Sequence, residues 1–280
     1  MMPVVSSRLR AIARDTVAIV GRGAYRSADG EVAIGSQVAR AVASTRLYLP
    51  DDAMAASSPI DAAPAIEVTN ESTLEATRRL GGNLACLVFA SARNPGGGFL
   101  NGAQAQEESL ARGSALYPCL RAAGDFYAHH RTHPELIYSD RVIYSPAVPV
   151  FRDDKGALLP APYPVSFLTA AAPNRSAIVR SQPQHLPDLP VVLTRRAMRI
   201  LQVAATNGHR RLVLGAWGCG VFGNDPVTVA SAFATALHHS PWFDTVVFAI
   251  LDRQPATPTH AAFAGALHHP TPGQPPPTTP

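Results

Sequence analysis

The stretch LACLVFASARNPGGG, residues 84–98, decides how this chain is read. Its first nine residues form a continuous apolar run of strand length, the pattern of a strand covered on both faces rather than on one. Asn-Pro and three consecutive glycines then end the strand and open a loop whose backbone can take conformations closed to other residues. Beyond the last glycine come seven residues and then Gln106, Glu107 and Glu108, at the start of a helical pattern.

Outward from this stretch the same texture repeats. RVIYSPAVPVF (141–151), PVSFLTAAA (164–172), RLVLGAW (211–217) and TVVFAIL (245–251) are strand candidates, and helical stretches lie between them at 106–122, 191–207 and 226–239. Strands alternating with helices in this order predict a three-layer α/β/α domain. Just upstream, AIEVTNESTLEATRRL (65–80) reads as a short strand and a helix capped by Asn70 or Ser72, with Glu75 completing a capping box. Residues 6–20 and 34–46 read as two helices separated by GRGAYRSADGE, whose glycines and Ser-Ala-Asp-Gly spell a turn. A polar, small-residue loop occupies 50–64. The organisation expected is a mainly helical N-terminal accessory region over 1–63, an α/β domain over 64–265 and a disordered proline-rich tail over 266–280.

Composition narrows the function classes. With 280 residues, 46% of them hydrophobic, the chain can bury a sizeable core. The formal charge of +4 comes almost wholly from arginine, Lys155 being the single lysine. Arginine suits phosphate-bearing partners, but no basic block or nucleic-acid motif is present, so direct duplex binding is not expected. Cys86, Cys119 and Cys219 lack CxxC spacing, which predicts neither a disulfide framework nor a zinc site. Charged residues interrupt the apolar N-terminus, and no apolar run reaches the length of a membrane span. A cytoplasmic protein with no membrane partner is expected.

Ligands of such sheets bind beyond the carboxyl ends of the strands, where loops and helix N-termini meet. Both glycine-rich stretches fall there: NPGGG after the strand ending near Ala92, and GAWGCGVFGNDP after the strand ending near Trp217. Loop amides of this kind can form an anion cradle, and a tight connection or hinge is the alternative. Phe222, held among Gly218, Gly220 and Gly223, either stacks on a base or sugar face or folds back into the core. Neither loop is a Walker A or a dinucleotide fingerprint. Glu107 and Glu108 are ordinary first-turn acids on one reading. Beside an anion cradle, however, two carboxylates are costly unless they contact hydroxyls or a departing oxygen, as sugar-bond hydrolysis requires. The histidine pairs 129/130, 238/239 and 268/269 lack metal-ligand spacing, and no GxSxG or Cys-His arrangement marks a covalent nucleophile.

GGG, seven residues, then QEE resembles the signature of poly(ADP-ribose) glycohydrolases, and GAWGCGVFGNDP is similar to the diphosphate-binding loop of their bacterial-type members. RLRAIARDTVAIVGRGAY and IEVTNESTLEA are similar to the accessory N-terminal part of those proteins, so the resemblance spans all but the tail. It implies a macrodomain with a mixed sheet and hydrolysis of the ribose–ribose bonds of poly(ADP-ribose) to ADP-ribose. Glu108 would be the general acid/base acting through an oxocarbenium-like transition state, and Glu107 would hold ribose hydroxyls on the leaving side. Gly96, Gly97 and Gly98 would bring backbone against the scissile ribose and diphosphate, with Gln106 completing the loop and Asn94 contacting ribose. Gly218, Cys219, Gly220, Val221, Phe222, Gly223 and Asn224 would wrap the diphosphate, Phe222 stacking near the distal ribose and adenine. No cofactor or metal is implied. ADP-ribosylated proteins are the implied partners, and reversal of ADP-ribosylation, as in a DNA damage response, is the implied role. A non-catalytic ADP-ribose reader and a hydrolase of mono-ADP-ribosylated protein are the alternatives.

Overall fold

A computed structural model describes residues 2–55 and 57–268. In chain order the elements are α1 (Met2–Arg22), β1 (Ala24–Ser27), β2 (Gly30–Ala33), α2 (Gly35–Ala43), β3 (Arg46–Tyr48), β4 (Ala65–Thr69), α3 (Thr73–Leu80), β5 (Leu84–Phe89), α4 (Gln106–Gly113), α5 (Leu116–Ala122) and α6 (Gly124–Thr132). There follow β6 (Val142–Arg152), β7 (Leu158–Ala170), α7 (Arg175–Ser181), α8 (Leu189–Thr206), β8 (Arg211–Leu214), α9 (Pro226–His238), β9 (Thr245–Ala249) and α10 (Pro258–His268).

Seven strands form one sheet in the order β3-β6-β7-β5-β8-β9-β4. The five from β7 to β4 are parallel, whereas β6 runs antiparallel to β7 and β3 antiparallel to β6. The sheet is therefore mixed, and the carboxyl ends of its five parallel strands share one edge. The central strand β5 explains its own apolar run. Leu84, Cys86 and Val88 enter a core with α2, α3, α5 and α6, while Ala85 and Leu87 enter a second core with α8 and α9. Successive strand side chains point to opposite faces, so a strand with helices on both sides must be apolar at every position. The layering is α/β/α.

The capping box at α3 is present: Glu75 N–H donates to Ser72 Oγ at 3.0 Å and Ser72 N–H to the Glu75 carboxylate at 3.0 Å.

Elsewhere the boundaries depart from expectation for physical reasons. The predicted turn at 21–31 is a β-hairpin, in which Ser27 pairs with Gly30 and Tyr25 is buried against the Phe151 ring at 5.6 Å. The turn residues are as read, but strands of four residues with charged outward positions carry little periodicity. Residues 34–46 do not stay helical to their end, because Arg46–Tyr48 pair with β6 at the sheet edge. The stretch 106–122 is two helices, broken where Ser114 becomes extended and bridges Val150.

The expected accessory region 1–63 shares its core with the rest of the chain, since Ile19, Tyr25, Ile34 and Val38 pack in the same cluster as Leu84 and Phe167. α10 runs across the expected start of the tail at 266, and residues 269–280 of that tail lie outside the described residues. Among the described residues no helix is long and apolar enough to cross a membrane.

Candidate active site

β5 and β8 are parallel neighbours, so the loops leaving their carboxyl ends emerge side by side. The first, residues 90–105, carries NPGGG and leads into α4. Three consecutive side chains, each making two hydrogen bonds to backbone groups, seat that helix beneath the loop. Gln106 Oε1 accepts from Phe89 N–H at 2.9 Å, and Gln106 Nε2 donates to Leu87 O at 2.8 Å, tying the first helical residue to the end of β5. Glu107 accepts on both oxygens, from Ser91 N–H at 2.6 Å and from Gly96 N–H at 3.1 Å. Glu108 also uses both oxygens, Oε1 accepting from Gly98 N–H at 2.9 Å and Oε2 from Ala105 N–H at 3.2 Å.

Only glycine fits at position 97. Its φ is +58°, and a Cβ there would overlap Glu108 Oε1 and lie 3.2 Å from Glu107 Oε2. The bare Gly97 backbone thus sits directly over both carboxylates. The two acids differ in environment. Glu107 is only 3% exposed. Burial pushes its carboxyl well above the usual range, and the Glu108 charge adds to this, while the Ser91 and Gly96 N–H groups oppose it. Glu108 is half-buried and open to solvent on one side.

The second loop, 215–225, folds on itself. Gly223 N–H donates to Gly220 O at 2.9 Å and Asn224 N–H to Gly218 O at 3.0 Å. The N–H groups of Gly220, Val221 and Phe222 have no intramolecular acceptor among the described residues. Gly218 is at φ +72°, and a Cβ there would stand 2.5 Å from Ala172 Cβ. Val221 is 84% exposed at the loop tip. Phe222 is half-buried, packing partly on the core of α8 and α9 and partly facing Tyr138 with ring centroids 6.0 Å apart. The fold-back reading of Phe222 is therefore partly realised, with its inner edge on the core. Burial pushes the Cys219 thiol up to about 12, helped by Asp225, which leaves it a poor nucleophile at neutral pH.

The expected residues thus assemble along one sheet edge, with three qualifications. Asn94 is exposed and contributes a backbone contact, its C=O accepting from Gly97 N–H at 3.0 Å. Gln106 has its amide committed to β5. Asn224 is buried, and its Nδ2 donates to Pro173 O at 2.8 Å and to Gly218 O at 3.1 Å, which makes it a brace of the loop. Pro173 belongs to a third wall, the segment 171–176 after β7, to which the sequence alone assigns no contact. Ser176 N–H donates to Phe222 O at 2.9 Å, and the buried Arg196 guanidinium holds Ala171 O at 2.7 Å while its Nε bonds Asp140 at 2.8 Å. The signal that could have found this wall is its place after a parallel strand adjacent to β5. Ser91, whose N–H meets Glu107, was within the quoted stretch but has no sequence pattern of its own. Among the described residues no group of three or more His, Cys, Asp or Glu is placed to hold a metal ion.

The chain can be compared with known proteins on this geometry. The model of the microbial-type PARG catalytic domain matches residues 13–153, which span the first glycine loop and both glutamates. No curated protein matches the chain. Among solved structures, poly(ADP-ribose) glycohydrolase from Thermomonospora curvata is 50% identical with a TM-score of 0.87, covering 93% of this chain and 99% of that one. The same enzyme bound to the inhibitor ADP-HPD is similar to this chain over 92% of its length, with a TM-score of 0.84. The glycohydrolase from Deinococcus radiodurans in complex with ADP-ribose is 45% identical with a TM-score of 0.76, covering 82% of this chain and 97% of that one. With half the chain matched by the family model and nearly all of it aligned at 50% identity to a solved glycohydrolase, the chain belongs to the microbial-type poly(ADP-ribose) glycohydrolase family.

Proposed function

We propose that the chain hydrolyses the ribose–ribose O-glycosidic bonds of poly(ADP-ribose) and releases ADP-ribose, with Glu108 as general acid/base. Its family makes it a glycosidase, and the observation that carries the residue assignment is the setting of Glu108. Its carboxylate is held by two backbone N–H groups against Gly97, whose missing side chain lets the loop backbone close directly over it. In the reaction Glu108 gives its proton to the leaving ribose oxygen as the glycosidic bond breaks. The ribosyl cation that develops is stabilised by its own ring oxygen, and the Glu108 carboxylate then takes a proton from the attacking water. The cycle returns Glu108 to its starting state.

Glu107 keeps two of its roughly four lone-pair positions for the loop amides, and the others are available to ribose hydroxyls on the leaving side. Gly96 to Gly98 line the ribose and diphosphate, with Asn94 at the ribose rim and Gln106 fixing the loop's end. The unpaired N–H groups of Gly220, Val221 and Phe222 suit the diphosphate, and the loop from Gly218 through Cys219 to Gly223 and Asn224 gives them their shape. Phe222 stacks near the distal ribose and adenine. ADP-ribosylated proteins in the cytoplasm are the carriers of the polymer, and its removal reverses their modification, as in a DNA damage response.

The test is Glu108→Gln in the purified protein. Release of ADP-ribose from labelled polymer is expected to fall by about 10²-fold or more, the usual worth of a positioned acid/base, while ADP-ribose binding persists. Wild-type turnover by the variant would sink the assignment. A wild-type protein that binds ADP-ribose but releases none from polymer would identify a reader, and release from mono-modified protein alone would identify the other linkage.

A further inference from the structure

Arg112 stands four residues after Glu108, so the two side chains share a face of α4. It is 6% exposed. Its Nη1 donates to Ala103 O at 2.6 Å and its Nη2 to Ser109 Oγ at 3.3 Å. Among the described residues no carboxylate lies within ion-pair distance of it. A buried guanidinium without such a partner is costly. Burial pushes its proton affinity down, and the Glu108 carboxylate is the charge that opposes this.

The hydrogen bonds form a closed ring around the catalytic loop. Glu108 Oε1 accepts from Gly98 N–H, Gly98 O accepts from Ala103 N–H at 3.1 Å, and Ala103 O accepts from Arg112, which returns through the helix to Glu108. α1 supports the ring from behind. Thr16 Oγ1 donates to Arg112 O at 2.7 Å and accepts from Arg152 Nε at 3.0 Å, and the Arg152 guanidinium pairs with Asp15.

We propose that Arg112 is a positioning residue for the glycohydrolase reaction, holding loop 98–105 around the Glu108 carboxylate and setting a fixed positive charge behind it. This rests on Glu108 being the acid/base. The other charged groups around the ring are Glu107 on α4, Arg10 and Asp15 on α1 and Arg152 at the end of β6, with Asp153 and Asp154 in the turn that follows. Asp15 is paired with Arg152, and Asp154 accepts from Ser72 Oγ at 2.6 Å.

Arg112→Met and Arg112→Lys, made in the full chain beside Glu108→Gln, test the proposal. Arg112→Met is expected to lower kcat on polymer about 10- to 100-fold, as misplacement by a fraction of an ångström does, with the Kd for ADP-ribose nearly unchanged. Arg112→Lys keeps the charge and a donor, so most of kcat returns. Where Arg112→Met does not fold, Arg112→Gln carries the same expectations. Wild-type kcat in the neutral variant would overturn the proposal. So would a joint loss of kcat and ADP-ribose affinity that Arg112→Lys does not rescue, which marks mere structural support. Wild-type turnover by Glu108→Gln would instead overturn the reading of Glu108 itself.

Discussion

Glu107 and Glu108 are adjacent in sequence and unlike in setting, and the difference is one of burial. The Glu107 carboxyl, buried beside a second acid, stays protonated to higher pH in the folded chain than its ordinary value of 4.5. Its contribution to stability is therefore present in full below about pH 4.5 and is lost as pH rises through the folded value. Each pH unit of that window is worth about 1.4 kcal/mol. Thermal melts from pH 4 to 8 are expected to show the wild-type melting temperature falling more steeply than that of Glu107→Gln, which has no such titration. Equal slopes would mean that the two loop N–H groups keep Glu107 ionised throughout. At this scale the sequence was informative about residue type and silent about environment. The three glycines announced a close approach, but that Gly97 lies over both acids follows only from the path of the loop.

At the scale of the element, the start of α4 was legible and its anchoring was not. Gln106 looks like a helix-start residue, yet its amide satisfies the backbone of β5 at Phe89 and Leu87. Gln106→Ala leaves both groups unpaired and is expected to cost about 1 to 3 kcal/mol for each. The lowered melting temperature would be accompanied by a fall in kcat as the glutamates drift, and an unchanged melt would show that water replaces the amide. The capping box at α3 was readable because its partners are three residues apart. The break at Ser114 and the strand β3 were not, because each is decided by pairing with β6, more than thirty and nearly one hundred residues away along the chain.

For the whole molecule, the N-terminal region and the α/β region are distinct in sequence texture but continuous in packing. α1 contacts the loop after the glycines, where a Cβ on Gly102 would overlap Ser6 O, and its Thr16 meets the backbone of α4. Calorimetry is therefore expected to give one cooperative transition for residues 1–63 and the remainder together. A separate, earlier transition that leaves ADP-ribose binding intact would contradict that coupling. The sequence by itself determined the strand–helix alternation, the two glycine loops at strand ends and the acids between them, because these depend on local periodicity and on residue types with few conformational alternatives. Only the tertiary structure decided that both loops and the segment after β7 emerge at one edge of the sheet, and that the N-terminal helix backs the helix carrying Glu108. That arrangement depends on strand order and on buried backbone groups finding partners, which no local pattern encodes.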